Sequence, residues 1–281
     1  MTARLIFCLL SLCLVLVLQP MSVAMRTRPV EVKLGYLPHP QILKAIVADQ
    51  GPLVAEFATV KVLFYYGTIV QNFIQKIIIR PEFFNMYKTL QTASQLDPYN
   101  KDIYHFTQAA FTWEVGRVRE VNHLLEHGMQ YRTWDYWLPF YAGFNCAYFL
   151  KDYDRGAYFM RKAAEISGDP LFTKLAARYF YESNQTSMGL DFLETMIKTS
   201  KDEAVKRTYQ FRKDALLAVT LLEKALGHFK EQVGRPAYNL EELVGRGIIE
   251  AIPLDPYDGK FYVDESGRVR TTSKFASPDL R

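Results

Sequence analysis

Two histidines one helical turn apart are the first residues here whose types and spacing could do chemistry. His123-Leu124-Leu125-Glu126-His127 fits H-x-x-E-H. On a helix, imidazoles at i and i+4 face the same way and can grip one metal ion, with the glutamate as base. That is the equipment of a metal-dependent hydrolase, which also needs an acidic ligand from a distant helix, and no segment marks one. The competing reading is a solvated helix face, because Glu120, His123 and His127 fall opposite Val121, Leu125 and Gly128. Cys146 sits in an apolar, aromatic stretch without a paired histidine, which suits a buried small hydrophobe better than a nucleophile. Asp255, Asp258 and Asp264 could crowd a calcium ion, although aspartates in turns need no metal to explain them. Asn184-Gln185-Thr186 fits a glycosylation sequon. There is no phosphate-cradling glycine loop and no G-x-S-x-G elbow. The chain therefore reads as non-enzymatic, with no cofactor and no resident metal.

The elements that must position these residues are mostly helices. Hydrophobic residues make up 49% of the 281 positions, enough for a sizeable core, and the net charge of +4 is spread without a Lys/Arg block. That distribution excludes a nucleic-acid partner. The N-terminus carries an address. Arg4 precedes an apolar run from Leu5 to Leu18, Gln19-Pro20 breaks it, and Ser22-Val23-Ala24 offers small residues to a signal peptidase. The run is shorter than the roughly 20 residues of a membrane span. Residues 1–24 are read as a cleaved export signal, with an uncleaved anchor as the alternative and the only expected membrane contact. Its removal leaves Cys146 as the sole cysteine, so no internal disulfide is possible. The expected location is the periplasm or cell envelope.

Residues 25–50 read as a polar, extended segment interrupted by prolines, with a short helix near Gln41 to Ala48. The dense apolar residues from Val54 to Val70 predict a helix covered on most sides. Beyond Arg80-Pro81, helix follows helix, punctuated by Asp97-Pro98 and, 72 positions later, Asp169-Pro170. Ala93 stands five residues before Pro98 and Leu90 three before that. Gly143, Ala147-Tyr148, Gly156 and Ala163 repeat the small and large places, and Ala176, Tyr179, Gly189 and Leu193 do so again. This pattern resembles the tetratricopeptide repeat, a stacked helical hairpin of about 34 residues. The resemblance implies an α-α superhelix over residues 51–200. Residues 201–233, with Leu216, Val219, Leu222, Leu226, Phe229 and Val233 in one stripe, would form a long helix capping its open end.

Residues 234–281 change texture. Asn239 precedes Glu241 and Glu242 as a helix cap, and Gly247 ends that short helix. Pro253-Leu254-Asp255-Pro256-Tyr257 links it to two alternating segments, Lys260 to Val263 and Arg268 to Thr271, turning at Asp264 to Gly267. The run from Leu226 to Arg270 resembles the soluble part of type II secretion pseudopilins, though no pilin-type N-terminal helix precedes it. The expected fold is thus mostly α, a tetratricopeptide-like superhelix with a small C-terminal α+β module of helix and β-hairpin.

In such a superhelix the first helix of each hairpin lines the concave side. By spacing, that side should present Asp102, His105, Ala109, Thr112, Tyr141, Asn145, Tyr148 and Phe180. Aromatics mixed with small polar groups suit an extended peptide or a helix of another envelope protein. The expected function is a scaffold for protein–protein interaction, within a secretion or pilus-related assembly.

Overall fold

A computed structural model describes residues 7, 10, 11, 13–21, 33–77 and 80–275. The expected cleavage site at Ser22-Val23-Ala24, the rest of residues 22–32, and residues 78–79 and 276–281 lie outside them. The described residues among 1–24 are helical with exposed side chains.

The chain is mostly helical. A short α1 (Pro40–Val47) leads to α2 (Gly51–Ile74) and α3 (Phe83–Leu96). Then come α4 (Lys101–Ala109), α5 (Val118–Tyr131), α6 (Trp137–Asn145), α7 (Tyr153–Ser167), α8 (Pro170–Glu182) and α9 (Thr186–Thr199). The long α10 (Glu203–Val233) and short α11 (Glu241–Gly245) precede the strands β1 (Phe261–Val263) and β2 (Val269–Thr271). The strands pair antiparallel with Tyr262 opposite Arg270, each beginning one residue later than its alternation suggests.

The helices recur through their caps. Asn100, Asp135, Asp169 and Asp202 each accept a hydrogen bond from the N–H two residues on, at Asp102, Trp137, Leu171 and Ala204, over 2.7 to 3.1 Å. These acceptors are 35, 34 and 33 residues apart; Asn100, Asp169 and Asp202 are N-caps and Asp135 is the residue before one, and each satisfies an N–H that the helix start would leave orphaned. The alternate turns recur too. Gly116, Lys151 and Asn184 adopt left-handed backbone at φ 72°, 56° and 65°. There the next N–H reaches back over five or six residues, from Arg117 to Phe111 O, Asp152 to Cys146 O and Gln185 to Phe180 O. Both α4 and α6 run into π-helical turns, Ala110–Glu114 and Cys146–Leu150. The prolines themselves are not equivalent. Pro98 lies in the loop before its cap Asn100, whereas Pro170 is the first residue of α8, where its missing N–H costs nothing.

Packing follows the same interval. Leu90, Leu125, Met160 and Leu193 are fully buried on α3, α5, α7 and α9, 35, 35 and 33 residues apart. Burying each side chain stabilises by about 2 kcal/mol. Gly143 and Gly156 let α6 and α7 touch closely: a Cβ on Gly143 would lie 3.1 Å from the Gly156 carbonyl oxygen and the Met160 nitrogen. The apolar core falls into three clusters in chain order, from Leu34 to Phe159, Ala157 to Phe192 and Ala177 to Phe275.

At the C-terminal end, Leu216, Val219, Leu222 and Phe229 of α10 are buried. The hairpin packs there as well. The Tyr181 hydroxyl donates to Val269 O at 2.8 Å, and Arg270 bridges Glu182 and Asp264 at 2.7 and 2.9 Å. The N-terminal end is different. The stretch Pro40–Ile74 is long and apolar enough to cross a membrane by length and composition, with an 18-residue window of mean hydropathy 1.5. Instead of being covered on most sides, α2 buries only one, through Ala55, Ala58, Thr59, Val62 and Tyr65. Phe57, Phe64 and Phe73 stand exposed; α1 and α3 pack against α2, and Tyr66 of α2 meets Phe106 of α4 edge to face at 5.5 Å.

Candidate protein-binding site

The eight residues expected on one open side divide by burial. Asp102, Ala109 and Tyr148 are exposed, and His105 and Tyr141 half-buried; the latter two meet edge to face at 5.7 Å across α4 and α6. Thr112, Asn145 and Phe180 are interior. The correction has a physical cause at Thr112. From Ala109, a three-residue step in an α-helix would keep Thr112 outside. The π-helical turn adds one residue to that stretch, so Thr112 turns in and Trp113 turns out, 58% exposed. Along α6 and the π-helical turn that follows it, the outward stripe runs through Trp137, Tyr141, Phe144 and Tyr148, and Asn145 on its flank turns into the interior. Phe180 packs against Phe192 of α9.

What gathers on the open side is a band of aromatic rings that spacing from α4 did not reveal. Trp113 meets Phe149 at 4.9 Å and Tyr148 at 6.2 Å. Phe144 stacks on Tyr148 at 5.1 Å, Phe140 joins Phe172 of α8 at 5.1 Å, and Trp137 stacks on Tyr141 at 5.6 Å. Lys151 sits 5.4 Å over the Tyr148 ring, a favourable cation–π position at the edge. Burial, and then the Asp135 carboxylate, raises the Tyr141 phenol above its ordinary pKa, so it stays a neutral donor. The signal was present in the sequence: aromatics at 137, 141, 144 and 148 follow steps of three and four.

Behind the band, the interior residues form a closed polar chain. Asn145 Nδ2 donates to Gln108 Oε1 and to Asn122 Oδ1, both at 2.8 Å, and Gln108 Nε2 donates back to Asn145 Oδ1 at 3.1 Å. The Thr112 hydroxyl donates to Gln108 Oε1 at 3.3 Å, and Asn122 Nδ2 to Cys146 Sγ at 3.3 Å. Gln108, Asn122 and Asn145 are buried, and the amides hydrogen-bond one another, with Thr112 and Cys146 at the two ends of the chain. Cys146 is thereby a buried thiol, its pKa pushed up to about 11 by desolvation.

The histidine motif is dispersed. His123 points to solvent, Glu126 pairs with Arg155, and a ring nitrogen of His127 lies 3.1 Å from Ser94 O. Two of the three aspartates are occupied by their own turns. Asp255 accepts from Thr271, from Ser273 and from the Tyr257 N–H, while Asp264 holds the hairpin turn through Ser266 and Arg268. Asp258 is exposed at φ 56°. Among the described residues no three Asp, Glu, His or Cys side chains converge.

In chemical terms the band offers apolar contact edged by a few hydrogen-bonding groups. Compared with family models, curated proteins and solved structures, the chain matches none.

Proposed function

We propose that this chain is an exported, non-enzymatic scaffold with tetratricopeptide-like stacking, and that the aromatic band takes an apolar segment of another envelope protein. The observation that carries the reading is Trp113 and Tyr148, both more than half exposed, joined ring to ring across two successive first helices. Contiguous exposed aromatics of this kind are what interfaces use as anchors. The 33- to 35-residue recurrence of caps and buried leucine or methionine supports a stack of hairpins, whose first helices would then share one concave side. The run Leu5 to Leu18 supports export, and the tail's likeness to pseudopilins supports a secretion or pilus-related setting. Glu126 held by Arg155 leaves the hydrolase alternative without a free base.

The test is photo-crosslinking in the native envelope from position 148, with position 198, on exposed Lys198 of α9, as control. A single adduct from 148, absent from 198 and lost in Trp113→Ala at unchanged melting temperature, is the expected result. Equal adducts from both positions, or retention in Trp113→Ala, would overturn the binding role of the band.

A further inference from the structure

Away from the aromatic band, a cavity of about 410 Å³ opens between α8, α10 and the loops carrying Tyr257 and Phe275. Four cationic side chains line it, Lys174, Arg178, Arg207 and Arg212, with no carboxylate among the lining residues. Among the described residues these four form no ion pair. Arg212 is the deepest, only 4% exposed, with its guanidinium 4.7 and 5.0 Å from the ring centres of Tyr257 and Phe275. Its Nη2 donates to Phe275 O at 2.8 Å, but Nε and Nη1 are buried with no hydrogen-bond partner.

That arrangement needs a reason. A buried cation with unspent donors is costly, and structures keep such groups paired. The buried carboxylate closest in the fold, Asp255, is spent on Thr271, Ser273 and the Tyr257 N–H. Burial lowers the Arg212 pKa to about 10, so it still carries its charge at neutral pH. Tyr257 and Asp255 oppose that shift, while Arg178 adds to it. Leu171, Leu175 and Phe211 give the same cavity apolar walls.

We infer that this cavity binds an oxyanion, a phosphate or a carboxylate, carried on a short apolar body. The anion takes the unspent Arg212 donors with Arg178 and Arg207 at the mouth, and the body lies on Leu171, Leu175 and Phe211. Arginine suits the role because it stays charged and offers several fixed donors.

Titration calorimetry of the purified full chain tests this with inorganic phosphate, phenyl phosphate, hexanoate and benzylamine. Phenyl phosphate is expected to bind at least about tenfold more tightly than inorganic phosphate, and benzylamine not at all. Hexanoate binding beside phenyl phosphate would assign the site to oxyanions generally; its failure would narrow it to phosphates. The paired variant Arg178→Gln/Arg207→Gln, outside the buried core, should weaken binding about tenfold or more at unchanged melting temperature, as loss of a charge-assisted hydrogen bond does. Arg212→Gln should abolish binding. No binding of either phosphate at millimolar concentration, equal binding of benzylamine, equal affinity for the two phosphates, or undiminished binding in the paired variant would each overturn the proposal.

Discussion

Two polar groups are sunk equally deep in this protein, and their surroundings are opposite. Asn145, between α4, α5 and α6, meets a neutral partner for each of its amide atoms in Gln108 and Asn122. Arg212, between α10 and the C-terminal loops, meets two aromatic faces and one carbonyl, and keeps two donor nitrogens unspent. A closed network holds helices in register because every member depends on the others. An unclosed one is a place where something else can bind. The contrast separates a polar group that serves the fold from one that serves a ligand.

The largest expected effect would test the closed side. Asn145→Leu strands the amides of Gln108 and Asn122 in the core and should cost about 4 kcal/mol, at roughly 1–3 kcal/mol for each group left unpaired. Urea unfolding measures it, and a loss below about 1 kcal/mol would show that the network is dispensable.

A smaller effect sharpens the comparison through Cys146, which accepts from Asn122. Its thiol titrates near 9.0 when free and at about 11 in the fold, because burial disfavours the thiolate. A raised acid stabilises fully below the unfolded value and loses that contribution as pH climbs toward the folded one. Between pH 9 and 11 the protein should therefore lose roughly 2 kcal/mol relative to Cys146→Ala, at 1.4 kcal/mol per pKa unit. Parallel stability curves for the two proteins across that window would contradict the burial of the thiol.

The smallest effect belongs to the open side. Arg212→Met removes a desolvated charge and keeps the apolar bulk between Tyr257 and Phe275, so unfolding free energy should stay within about 1 kcal/mol of the parent, as replaced buried charges often do. A loss as large as that of Asn145→Leu would erase the distinction between the two sites.

Much of the architecture was legible residue by residue. The apolar stripe from Leu216 to Val233 marks α10, and the two alternating segments around Asp264 to Gly267 mark the hairpin. Asp202 and Asn239 announce helix starts through their own side chains. The proposed binding face was legible only in part. His105, Tyr141 and Tyr148 share an accessible side, but Thr112 does not, because helical counting assumes an unbroken ladder and a π-helical turn shifts the count by one. Pro98 and Pro170 follow the ends of α3 and α7, but at different places relative to the caps Asn100 and Asp169.

The sequence alone marked most of the helices, the Asn239 cap and the hairpin, since each depends on neighbours within a turn or two. Only the tertiary structure decided which aromatic edges face outward and that Arg212 meets Phe275, 63 residues away. Contacts at that distance arise from how the packed helices end, and no local pattern of residue types encodes them.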